Sequence, residues 1–137
     1  MKTVVINTGY FNPIHPGHIE CMQLSKELDE LWIIVNNDEQ ARLKTKQEVF
    51  QDENFRCAVV SAIKYVDEVM LSIDYDPSVC KSIKAAAIEI RKRYDDTKII
   101  LKDRFLILEE VCKEMNIEIV DGLAKTHNSS DYRKKMN

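Results

Sequence analysis

Five short, strand-like runs rich in apolar residues, separated by helix-length segments, constrain this chain more than any other feature. They are residues 3–7 (TVVIN), 31–35 (LWIIV), 66–71 (VDEVML), 97–101 (TKIIL) and 117–120 (IEIV). A strand with one face in water alternates apolar and polar residues, whereas a strand buried on both faces does not. The intervening stretches carry the helical period. Cys21, Leu24 and Leu28 share a face within residues 17–28, and Phe55, Val59, Val60 and Ile63 do so from about 53 to 64. Residues 77–94 read as a longer helix with Pro77 in its first turn, where a missing N–H costs little. Leu108, Val111, Cys112 and Met115 mark another helix. Residues 36–51 are polar, carry no clear period and read as a loop, and the polar tail after Gly122 suits a short last helix.

Buried strands alternating with helices imply a parallel sheet covered on both sides by right-handed crossovers. The expected fold is α/β: a Rossmann-like five-stranded parallel sheet with helices on both faces, in a single domain over residues 1–137. In such sheets ligands lie beyond the carboxyl ends of the strands. The ligand-facing segments should therefore be 8–18, 36–46, 72–76, 102–104 and 126–131.

Composition narrows the partner classes. The net charge of −3 argues against a nucleic-acid partner, which calls for a basic face, but leaves room for a small anion held by a few local cations. No apolar run approaches the ~20 residues of a membrane span. The start, MKTVVINTGYF, lacks a small-residue cleavage site and reads as a buried strand rather than a signal peptide. Cys21, Cys57, Cys80 and Cys112 are far apart and form no CxxC pair. That spacing argues against a zinc site and for reduced thiols in a cytoplasmic protein.

Chemistry gathers directly after the first strand, in Thr8-Gly9-Tyr10-Phe11-Asn12-Pro13-Ile14-His15-Pro16-Gly17-His18. Gly9 permits a tight turn and close backbone approach to a ligand. His15 and His18, three residues apart at a helix start, face the same way. The backbone N–H groups and helix dipole there favour anions, and imidazole N–H donors add directed hydrogen bonds to phosphate oxygens. Two histidines at this spacing also suit a metal, but no third ligand lies nearby in the sequence. The chain has only three histidines, and two share this turn, so scattered surface histidines account for it poorly.

This segment resembles the G-x-F-[D/N]-x-x-H-x-G-H signature of the HxGH nucleotidyltransferase superfamily. The resemblance covers nearly the whole chain and is nearest to the small cytidylyltransferases of the glycerol-3-phosphate type. It implies that Thr8, Gly9, Tyr10, Phe11, His15 and His18 line the nucleotide site. Asn36-Asn37-Asp38-Glu39 resembles the family's V-x-[ST]-D-E stretch. Lys44 and Lys46 stand where two lysines bind triphosphate and acceptor, and Arg56 stands where an arginine contacts phosphate. Tyr65–Val69 is similar to R-Y-V-D-E-V and is expected to matter through packing. Lys102 and Asp103 fall on the strand-four loop that recognises the nucleotide, and Asn128-Ser129-Ser130 resembles the I-S-[ST]-T motif that holds phosphates. Read without the resemblance, Lys44 and Lys46 are loop charges, Arg56 is a surface helix residue, and Ser129-Ser130 is an N-cap before Asp131.

The implied activity is transfer of a nucleoside monophosphate, CMP from CTP, to a phosphorylated small molecule with release of pyrophosphate. His15, His18, Lys44 and Lys46 would be catalytic. Mg²⁺ would ride mainly on the nucleotide phosphates, with no metal ligands from the protein. The implied assembly is a homodimer, with no nucleic-acid or membrane partner. Two departures open alternatives. Asn12 replaces the usual Asp, giving an NPIH sequence similar to adenylyltransferases of the nicotinate-mononucleotide type, and Leu101-Lys102-Asp103-Arg104-Phe105 lacks the glycines of the cytidylyltransferases. The first alternative is an adenylyltransferase using ATP on a mononucleotide or sugar phosphate. The second is a nucleotide-binding module without turnover.

Overall fold

The structure is a computed structural model, and it describes residues 1–45, 50–102 and 106–120. Strands β1 (Lys2–Gly9), β2 (Glu30–Val35), β3 (Glu68–Leu71), β4 (Thr97–Lys102) and β5 (Glu118–Val120) form one sheet in the order β3-β2-β1-β4-β5. Every pairing is parallel. The helices are α1 (Pro16–Lys26), α2 (Asp38–Thr45), α3 (Glu53–Ser61), α4 (Cys80–Arg93) and α5 (Glu109–Glu114), with a 3-10 turn at Leu106–Leu108. The five-stranded parallel α/β fold expected from the apolar runs is present.

Alternate strand residues feed two apolar layers. Val4, Ile6, Trp32, Ile34, Ile99 and Leu101 pack on one face against Ile83, Ala86, Ala87 and Ile90 of α4 and Val111 and Cys112 of α5. Val5, Leu31, Ile33, Val35 and Ile100 pack on the other face with Met22 of α1 and Val60 of α3. Val5 lies opposite Leu31 and Ile100 in register, so the central strand ties both wings into each layer. Burying a side chain of this size contributes about 1.5–3 kcal/mol.

Four local expectations change. Residues 38–45, read as loop, form α2. That helix buries only Gln40 and Ala41, so no apolar stripe betrays it. A reciprocal capping box starts it instead: Gln40 N–H donates to Asn37 Oδ1 at 2.9 Å and Asn37 N–H to Gln40 Oε1 at 3.0 Å. Helix α4 begins at Cys80 rather than at Pro77, and carboxylates of its lead-in bond the backbone there. The Asp74 carboxylate accepts from the backbone of Lys81 at 3.0 Å and Ser82 at 2.9 Å, and Asp76 accepts from Ser78 N–H at 2.8 Å. Strand β3 begins at Glu68 because Val66 closes a turn onto Ile63, while Tyr65, Val66 and Val69 pack under the sheet. Helix α1 turns Met22 and Ser25, not Leu28, to the sheet; Leu28 lies beyond its end and is exposed.

Candidate active site

Strand β1 sits between β2 and β4, where the chain reverses its direction across the sheet. The crevice at the carboxyl end of such a strand is where α/β sheets receive ligands. Residues 8–18 fill that position. Thr8 and Gly9 close the strand against Ile34 and Val35 of β2.

Phe11 takes a left-handed conformation, with φ of 52°. Its ring is 5% exposed and belongs to the apolar layer, so Phe11, expected to contact nucleotide, is placed among core side chains. The ring also meets His18 edge-on, with centroids 4.9 Å apart. Space for it comes from Gly9, where an added Cβ would lie 2.9 Å from Phe11 Cζ. The gap at Gly9 is thus filled by Phe11 and not reserved for a ligand. Gly9→Ala is expected to push the ring toward His18 and cost about 1–3 kcal/mol, read as a lowered denaturation midpoint together with reduced turnover.

His15 and His18 are joined by a capping box of their own. His15 is the N-cap of α1, with Pro16 at the first helical position. Gly17 N–H donates to His15 Nδ1 at 3.1 Å, and His15 N–H donates to His18 Nδ1 at 3.1 Å. The two rings stack with centroids 3.7 Å apart. A δ nitrogen that accepts from a backbone N–H carries no proton, so each ring holds its proton on Nε2. Burial, then the neighbouring His15 and Lys102, lower the His18 pKa from 6.5 to about 4. His18 is therefore a neutral hydrogen-bond donor near pH 7.

Two lysines stand along this turn. Lys44 extends from α2 to place its Nζ over the Tyr10 ring, 4.5 Å from the centroid. Burial raises the Tyr10 phenol, with Arg56 opposing, so it too stays protonated. Lys102 ends β4 beside Asn7 and is close enough to act on His18. Arg56 lies elsewhere than on an open surface: its side chain is fully enclosed. Lys46, Asp103, Asn128, Ser129 and Ser130 lie outside the described residues. Among the described residues there is no group of three or more His, Cys, Asp or Glu placed to hold a metal, and no helix long and apolar enough to cross a membrane.

A buried polar network behind the site was not read from the sequence. Asn37 Nδ2 donates to the carbonyls of Ser72 and Asp74 at 3.0 and 2.8 Å, and Gln40 Nε2 donates to those of Asp76 and Ser78 at 2.9 and 2.8 Å. It holds α2, and with it Lys44, against the loop after β3. The Asn-x-x-Gln spacing at 37–40 was its one visible signal.

Residues 6–132 match the profile of the family described as cytidylyltransferase-like. The chain belongs to that family. The resemblance first carried by the HPGH turn thus extends to nearly the whole sequence. Within this cytidylyltransferase-like family, the FAD synthase of Thermoplasma volcanium is 33% identical over 136 residues, covering 96% of this chain and 92% of that protein. The FAD synthase of Thermococcus kodakarensis is 34% identical over 116 residues, covering 83% and 72%. Among solved structures, a lipopolysaccharide core biosynthesis protein from Thermoplasma volcanium superposes with a TM-score of 0.61 at 27% identity, over 88% of this chain and 96% of that one. The protein is a nucleotidyltransferase enzyme with a cytidylyltransferase-like fold.

Proposed function

We propose that this enzyme transfers an adenylyl group from ATP to the phosphate of an FMN-like acceptor, forming a pyrophosphate-linked dinucleotide and releasing pyrophosphate. The observation that carries the transfer chemistry is the stacked, capped histidine pair, with both proton-bearing nitrogens set by backbone hydrogen bonds. The choice of base rests on the relatives named FAD synthase, whose product joins AMP to FMN. They move the balance from CTP, favoured on the sequence alone, to ATP. The NPIH sequence and the strand-four loop without glycines point the same way.

In this reading an acceptor phosphate oxygen attacks the α-phosphorus in line. The bond from that phosphorus to the bridging oxygen breaks, and pyrophosphate leaves with the electron pair. A phosphate monoester is already nucleophilic at neutral pH, so no general base is needed. Neutral His18 and His15 donate from Nε2 to the phosphoryl oxygens as charge builds. Lys44, Lys46 and Lys102 neutralise the phosphate chain, and Ser129 and Ser130 hold its leaving end. The site offers mainly N–H donors and cations, which suit phosphate oxygens rather than a metal ion. Mg²⁺ would accordingly be held by the phosphates and waters, supplying charge neutralisation there.

Pyrophosphate release measured with ATP and with CTP, each against FMN and glycerol 3-phosphate, tests the proposal. ATP with FMN should give pyrophosphate and FAD in equal amounts. Faster turnover of CTP with glycerol 3-phosphate would reverse the reading.

A further inference from the structure

Arg56 is an unusual participant in a phosphate site. Its side chain has no exposure, and four of the five guanidinium N–H donors are engaged by the protein. Nε donates to the Gln51 carbonyl at 2.8 Å. One terminal nitrogen donates to the carbonyls of Tyr10 at 2.8 Å and Asn36 at 2.7 Å, and the other pairs with Asp38 Oδ1 at 2.8 Å. The acceptors lie on three separate segments, two of which bear a site element. Tyr10 precedes Phe11, whose ring backs His18. Asn36 and Asp38 lead into the helix that carries Lys44. Gln51 begins the approach to α3, and its N–H returns to Asn12 Oδ1 at 3.1 Å, closing the ring of contacts.

We infer that Arg56 is a positioning residue for nucleotidyl transfer: its enclosed guanidinium joins the turn before the histidines, the start of α2 and the approach to α3, and so sets the spacing between His18 and Lys44. The inner charge is used on backbone carbonyls and one carboxylate, which fix direction, rather than on a substrate phosphate. A planar fork with donors at fixed angles suits this task, and a lysine cannot reproduce it. The Tyr10 carbonyl is the decisive partner. It belongs to the turn leading into the left-handed residue whose ring rests on His18, so a small movement there is passed straight to the imidazole. The inference rests on the nucleotidyl-transfer reading of the site and is independent of whether ATP or CTP is used.

The test is Arg56→Lys, assayed with the nucleotide and acceptor that the wild-type protein turns over best. We expect kcat to fall about 10²-fold while the calorimetric Kd for the nucleoside triphosphate moves less than about threefold. The ring ¹⁵N signals of His15 and His18 should shift. Retained kcat with weakened triphosphate binding would assign Arg56 to phosphate contact and overturn the inference, as would unmoved ring signals. Should Arg56→Lys fail to fold, Asp38→Asn carries the test, since it removes only the charge of one partner. A smaller loss of kcat with shifted ring signals then supports positioning, and wild-type kcat and signals overturn it. A wild-type protein inactive on every pair would sink the proposed function, while the ring signals would still decide the role of Arg56.

Discussion

Replacing His18 with alanine is expected to lower kcat by about 10²–10³-fold, the usual cost of losing one donor aimed at developing phosphoryl charge. The fold should survive. His18 is only half-buried, and its loss removes one capping acceptor, worth about 1 kcal/mol. Steady-state kinetics beside a circular-dichroism melt would separate the two effects, and near-normal turnover would end the mechanism. The pH profile is part of the same result. With a native pKa of about 4 against an ordinary 6.5, His18 keeps its neutral donor form throughout that interval. Turnover should therefore show no acidic limb near 6.5 that vanishes in the alanine variant. Stability behaves differently. Between those two values the unfolded chain binds a proton that native His18 does not, so His18 makes stability fall as the pH drops from 6.5 toward 4.

The second large effect is expected far from the phosphate. Asp74 is 2% exposed and accepts from Lys81 N–H, Ser82 N–H and the Ser82 hydroxyl, the last at 2.5 Å. Ser82 is itself buried and exchanges a hydrogen bond with Ser72 at 3.1 Å. Asp74→Ala takes the side-chain acceptor from the Lys81 and Ser82 N–H groups, leaves the Ser82 hydroxyl only Ser72, and strips the start of α4. The cost should be about 2–4 kcal/mol, visible as a lower urea midpoint. Asp74→Asn retains one acceptor oxygen and should recover part of it. A variant as stable as wild type would show that the α4 start is held by other contacts.

What the sequence disclosed follows from the range of the interactions concerned. Strand identity depends on burial of successive residues, and Val4 to Ile6, Leu31 to Val35 and Ile99 to Leu101 carry that signal within a few positions. The turn from Gly9 to His18 is equally local, since its caps join residues two and three apart. Helix α2 escaped because it is held by amide side chains reaching 36 and 38 positions along the chain, not by an apolar stripe. Its dipole pattern, with Asp38 and Glu39 first and Arg42 and Lys44 last, was the readable trace. Arg56 was legible as important but not as enclosed, because the Tyr10 carbonyl it holds is 46 positions away. Phe11 is expected at the nucleotide because it is the aromatic position of the signature, but a sequence pattern does not show the left-handed backbone that turns its ring inward onto Gly9.

The double histidine cap has a consequence for how activity relates to order. Proton location on the two rings is dictated by the same N–H bonds that close the first turn of α1. A molecule in which that turn has frayed keeps both imidazoles but scrambles which nitrogen carries hydrogen. The competent fraction of the population is then the fraction with the turn closed, however stable the sheet beneath it. On the proposed mechanism, catalytic output would follow the formation of a single helical turn.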